Sequence, residues 1–144
     1  METRLDNLKQ TLRQLGHDPK ENHDEGWMSF DFRDLTFRCT VDEAMDFMAI
    51  GLAYYQEHGH VSRDRILELI NIMNEDMAYV KVIEINDFFW ITYELPIVRR
   101  MPDMEEVKSM IKTLTDAYCQ LVGLYKVAVK YHGRAMTRVN ITNN

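Results

Sequence analysis

From Trp27 to Val41 the side chains alternate between apolar and polar. Met28, Phe30 and Phe32 interleave with Ser29 and Asp31, and Leu35, Phe37, Cys39 and Val41 interleave with Thr36, Arg38 and Thr40. A period of two sends successive side chains to opposite faces of a pleated strand, so the pattern predicts two strands with one covered face each. Arg33-Asp34 breaks the alternation and is short enough to join the strands as an antiparallel hairpin. A second hairpin is predicted where "YVKVIEI" and "FFWITYEL" flank Asn86-Asp87, a dipeptide tolerant of the positive φ that tight turns need, with Pro96 ending the second strand.

Three other segments have the period of a helix. Leu5, Leu8, Leu12 and Leu15 are spaced by three and four, and Gly16 follows as a stop. Ser62 is placed to cap a second helix, with Asp64 in its first turn and Ile66, Leu69, Ile70, Met73 and Met77 as its stripe. Asp103, with Glu106 three positions on, starts a long third helix. Its stripe runs Met104, Val107, Ile111, Leu114, Tyr118, Leu121, Tyr125, Ala128, and Met110, Ala117 and Leu124 widen it beyond a coiled-coil seam. Such a broad stripe suits a helix laid across a sheet. "DFMAIGLAYY" reads as a further strand in preference to a helix, because two strands alone make a poor sheet. "HDPKENHDEG", at 17–26, has no period and reads as a loop. The expected order is α-β-β-β-α-β-β-α in a single domain over 1–132, followed by a flexible tail at 133–144.

A chain of 144 residues suits one hydrophobic core, and 46% hydrophobic with 28% charged residues is a globular composition. The net charge of −6 argues against general affinity for nucleic acid or anionic lipid. Lys126, Lys130, Arg134 and Arg138 form a local basic run, which reads as a solvated helix end. The best apolar run is interrupted by Lys81, Glu84, Asp87 and Glu94, far short of the roughly 18 residues needed to span a bilayer. Cys39 and Cys119 lack any CxxC or Cys/His spacing, and "METRLDNLKQTLRQLG" has no secretory h-region, so free thiols in a reducing cytoplasm are expected.

Candidate chemistry is sparse. The carboxylate pairs at Asp24-Glu25, Asp42-Glu43 and Glu105-Glu106 lie at turns or helix starts, where acids are expected for structural reasons, and no glycine-rich phosphate cradle occurs. Both cysteines share apolar surroundings and read as buried structural thiols. His58-Gly59-His60 could bring two imidazoles to one metal, which makes a small-ligand or metal-dependent enzyme the alternative function, although the spacing matches no established ligand motif. No cofactor is expected. Asn71 and Asn74 end the second helix, where an amide can cap backbone groups of the incoming strand.

The element order, together with "LINIMNEDMAYVKVIEINDFFWITYELP" and the long closing helix from Asp103, resembles the YbjN-like family over roughly residues 1 to 131, a family that shares the fold of type III secretion chaperones. The resemblance implies an α+β sandwich, with an antiparallel sheet and helices packed on one face, and frequently a homodimer. Family members are described as candidate regulators of sensory transduction. The related chaperones are small, acidic, non-enzymatic binders of extended polypeptide, and by analogy this chain is expected to be a non-catalytic interaction protein.

The strand after Asn86-Asp87 suggests where such binding would occur. Phe89, Ile91, Tyr93 and Leu95 form one face and suit the helix-covered core, which leaves Phe88, Trp90, Thr92 and Glu94 outside. Large aromatics gathered on an outer face mark interfaces. Phe88, Trp90 and Thr92 are therefore expected to contact a polypeptide partner or a second copy of the chain, through sheet surface or sheet edge. The alternative is that a loop or the C-terminal tail of the same chain covers them.

Overall fold

The structure is a computed structural model that describes residues 2–22, 24–59 and 61–141, with side chains up to Tyr131. In chain order the elements are α1 (Arg4–Gln14), β1 (Lys20–Asn22), β2 (Trp27–Phe32), β3 (Leu35–Asp42), β4 (Phe47–Tyr55), α2 (Arg63–Asp76), β5 (Val80–Ile85), β6 (Phe88–Pro96) and α3 (Met104–Ile141). Among the described residues the strands form one sheet in the order β1-β2-β3-β4-β6-β5, with every neighbouring pair antiparallel. This is the expected α+β order with one addition. The acidic segment read as a loop contains β1, which pairs Lys20 to Ser29 and Asn22 to Trp27. A short polar edge strand of this kind is held by backbone pairing and leaves no alternation to read.

Local chemistry explains where the elements begin and end. Arg33 and Asp34, and likewise Asn86 and Asp87, all have positive φ, which matches the right-handed strand twist in two-residue hairpins. Thr3 and Asp6 form a reciprocal capping box on α1, and Asp103 and Glu106 form another on α3. Ser62 Oγ accepts from the Arg65 N–H at the start of α2. At the end of α1, Gly16 sits at φ 92°, and the His17 and Gly16 N–H groups donate to the Leu12 and Arg13 carbonyls, closing a Schellman motif.

One face of the sheet carries the core. Met28, Phe30, Phe37, Cys39, Met48, Ile50, Leu52, Phe89 and Ile91 are all nearly or fully buried there. They join one cluster with Leu8 and Leu12 of α1, Leu69 and Met73 of α2, and Val107, Leu114, Leu121 and Tyr125 of α3. Most of the α3 stripe is buried as expected; Tyr118, Leu124 and Ala128 are half-buried, and Met104 at its start is exposed. Cys39 is buried, and burial pushes its thiol well above the ordinary range; Cys119 is exposed rather than buried, because it points away from the stripe. Both thiols are free. The tail expected at 133–144 falls on residues outside the side-chain description. Among the described residues no helix is long and apolar enough to cross a membrane.

The β5 edge of the sheet is closed at its centre. Asn74 Oδ1 accepts from the Val82 N–H at 2.7 Å, and Asn74 Nδ2 donates to the Val82 carbonyl at 3.3 Å. The amide thus takes the place of one residue of a neighbouring strand, as the position of Asn74 at the end of its helix suggested. Asn74→Ala leaves both backbone groups of a buried residue without their partner, and a loss of about 1 to 3 kcal/mol is expected in urea unfolding. A loss below about 0.5 kcal/mol, the scale of ordinary surface changes, would show that water replaces the amide.

Candidate functional site

The second face of the sheet has no helix over it among the described residues. Its side chains follow from the strand registers. Trp27, Ser29 and Asp31 come from β2, Thr36, Arg38 and Thr40 from β3, and Ala49, Gly51, Ala53 and Tyr55 from β4. Phe88, Trp90, Thr92 and Glu94 come from β6, and Lys81, Ile83 and Ile85 from β5. The predicted split of β6 therefore holds: Phe89 and Ile91 are fully buried, while Phe88 is 38% exposed on the other face.

Register groups the apolar residues of this open face at one end. Tyr55 pairs with Phe88, and Phe88 with Ile85, so three large side chains form a row across three strands. Tyr55 and Phe88 rings lie 5.1 Å apart. The adjoining row is Ala53, Trp90 and Ile83. Tyr55, Ile83, Ile85 and Phe88 are all exposed, and Trp90 is half-buried. Sequence reasoning found Phe88 and Trp90 but missed Ile83 and Ile85. Their signal was present, since a two-residue turn at Asn86-Asp87 fixes the pairs Ile85–Phe88 and Ile83–Trp90.

Beside this patch lies a cationic centre. The Arg38 guanidinium carbon is 4.2 Å from the Trp27 ring centroid and 5.2 Å from that of Trp90. The two rings approach from β2 and β6, on opposite sides of β3 in the sheet order. Arg38 reaches Trp90 across β4 because Gly51, its pair there, has no side chain. A Cβ at Gly51 would stand 3.0 Å from Thr92 Cγ2 and 3.1 Å from the Ile91 carbonyl oxygen, so the packing of β4 on β6 also requires glycine. Thr92 sits in this row half-buried, with its hydroxyl donating to the Lys81 carbonyl at 3.5 Å. Trp27 is fixed by its indole N–H, which donates to Glu25 Oε2.

The sheet parts next to Arg38. Pairing of β3 with β4 ends at Arg38–Gly51, although β3 begins at Leu35 and β4 runs to Tyr55. A cavity of about 340 Å³ opens there, lined by Trp27, Ser29, Thr36, Arg38 and Trp90 and reaching Tyr118 of α3. Burial holds the Tyr118 hydroxyl above the usual phenol range, with Glu57 adding to the effect. A larger cavity, about 530 Å³, lies on the helix side between Leu15, Phe32 and Ile111. Its rim mixes Arg33, Lys108 and Lys112 with Glu105 and Asp116, and Lys112 is already paired to Asp116 at 3.0 Å, so charge does not converge there.

The histidine pair considered as a metal site is only half placed. His58 has an exposed side chain with Nε2 3.5 Å from Glu57, and His60 lies outside the described residues. Among the described residues no group of three or more His, Cys, Asp or Glu side chains is arranged to hold a metal ion. Lys126 and Lys130 of the basic run are exposed on α3, and Arg134 and Arg138 lie beyond the described side chains.

No family model and no curated protein matches the sequence. The chain is similar in structure to YbjN, a candidate transcription regulator from E. coli, over 82% of its own length and 87% of that chain, at 14% identity and a TM-score of 0.60. The fold is YbjN-like. The structure of the HopA1–SchA chaperone–effector complex holds a chain that matches 85% of this one and 90% of itself, at 11% identity and a TM-score of 0.49. The YbjN-like architecture agrees with the resemblance read from "LINIMNEDMAYVKVIEINDFFWITYELP" and the element order.

Proposed function

We propose that this chain is a non-catalytic interaction module that binds a polypeptide, either a partner or a second copy of itself, on the open face of its sheet. The observation that carries this reading is the row Tyr55–Phe88–Ile85, which continues into Trp90 and Ile83 on a face with no helix over it among the described residues. Contiguous exposed aromatics and aliphatics cost solubility unless something covers them. Trp, Tyr and Phe are also the residues that anchor protein interfaces. Phe88, Trp90 and Thr92 belong to this surface, with Phe88 and Trp90 as its anchors. The closed β5 edge favours the face over that edge, because Asn74 already occupies the Val82 groups that an added strand would need.

The test is Trp90→Ser, alone and combined with Phe88→Ser. Association is read by sedimentation for self-binding and by titration with blocked extended peptides for a foreign chain. The expected result is association weakened at least about tenfold by the pair, in line with the loss of interface anchors, with a melt close to that of the parent chain. Unchanged association together with a large loss of stability would make Trp90 ordinary core and overturn the proposal.

A further inference from the structure

We infer that the open face binds a foreign polypeptide that presents an acidic side chain, set in an extended apolar segment, to Arg38 between Trp27 and Trp90. The inference rests on the open face being the polypeptide-binding surface and adds the chemistry of the partner. Three observations support it. First, Arg38 is an exposed cation with no carboxylate partner among the described residues, in a chain with 23 acidic and 17 basic side chains. Arg4, Arg63, Lys81 and Arg100, by contrast, each hold a carboxylate within 3.0 Å, which leaves the Arg38 guanidinium available to one brought by a ligand.

Second, Arg38 is positioned. Ring faces of Trp27 and Trp90 lie within cation–π range of its guanidinium, which limits the side chain's freedom before any ligand arrives. Indole rings satisfy the positive charge in part and accept none of its five N–H donors in the way a carboxylate does, so a carboxylate remains the complementary ligand. Third, the site is concave and continuous with the patch. Arg38, Trp27 and Trp90 line the 340 Å³ cavity where β3 and β4 part, and Trp90 pairs across to Ile83 in the apolar rows. A segment with an acid at Arg38 and apolar residues beside it would match both regions at once.

The chain carries only two tryptophans, and they are the two that flank Arg38, so selectively excited tryptophan fluorescence reports this site. The probes are two blocked peptides of alternating valine and threonine, identical except for a central glutamate or glutamine. Blocking both ends excludes terminal charges as the source of binding. The glutamate peptide is expected to bind the parent chain roughly tenfold tighter than its glutamine twin, the scale of one charge-assisted contact replacing a neutral one. Arg38→Gln should remove that preference, so that the two peptides bind equally to the variant, with Arg38→Met as a second variant of the same expected behaviour.

Equal binding of both peptides by the parent chain overturns the acidic-partner inference and leaves the open-face reading standing; this outcome needs no variant to fold. Preference kept by Arg38→Gln overturns it equally. Binding of neither peptide by a chain that also sediments as a monomer removes the underlying reading as well. Sedimentation of the same samples covers the remaining occupant: a parent dimer that Arg38→Gln converts to monomer, with no peptide preference, assigns the site to a second copy of the chain and overturns the foreign acidic segment.

Discussion

Tyr125→Ala is expected to bring the domain close to unfolding. The ring is fully buried and packs edge-on against Tyr54 and Phe89, with centroids 5.5 and 6.0 Å away. Removing a buried aromatic side chain costs about 3 to 5 kcal/mol. The hydroxyl adds a second loss, because it donates to the Gly59 carbonyl at 2.7 Å and accepts the His58 N–H at 3.1 Å, holding the chain that leaves β4. A domain of this size has a total stability of only about 5 to 15 kcal/mol, so the sum is a large fraction of it. Tyr125→Phe separates the two parts: it keeps the ring and is expected to lose about 1 to 3 kcal/mol for the two lost hydrogen bonds. Urea unfolding of the two variants checks both figures. A Tyr125→Phe variant as stable as the parent would show that the two backbone groups find other partners, and would confine the role of Tyr125 to packing.

The contrast between what sequence reveals and what it hides is clear in this fold. Features set by neighbours along the chain were legible. Arg33-Asp34 and Asn86-Asp87 were read as tight turns and all four residues have positive φ. Asp103 and Glu106 were read as a cap and form one; Asn71 and Asn74 were read together as able to cap the incoming strand, and Asn74 is the one that binds Val82. The third strand, ambiguous in composition, is β4 at the centre of the sheet, where Ala49, Gly51 and Ala53 match the close approach of neighbouring strands.

Features set by strand order were not legible. Trp27, Arg38 and Trp90 come together only because β4 adjoins β6 rather than β5, and no local pattern brings those residues together. In hindsight one hint exists. Glu84 faces inward from β5, bonded to Arg63 and Gln56, and an inward charge belongs on an edge strand, which makes β6 the inner member of its hairpin. β1 left no hint of this kind, since its three residues, Lys20, Glu21 and Asn22, are all polar and show no alternation. The mistaken burial of Cys119 has a similar origin. Its place beside the α3 stripe in sequence is not a place on the stripe, because adjacent helix positions are turned away from one another by about a quarter turn.

Leu114→Ala is expected to cost about 2 to 5 kcal/mol, the range for deleting a fully buried leucine side chain. Leu114 lies in the middle of the α3 stripe, in the same buried cluster as Phe89 and Ile91 on the inner side of β6. The outer side of the same strand is predicted to behave in the opposite way. Trp90→Ser on that side is expected to change association and leave the melt almost intact, whereas Leu114→Ala should lower stability and leave binding of extended peptides by the folded fraction unchanged. The pair therefore tests whether one strand divides its labour between its two faces. A loss below about 0.5 kcal/mol for Leu114→Ala, typical of surface positions, would mean that the helix layer is not the core that holds the sheet. Equal stability losses at Leu114 and Trp90 would mean that the open face is as much part of the core as the covered one, and would remove the physical basis for placing a partner there.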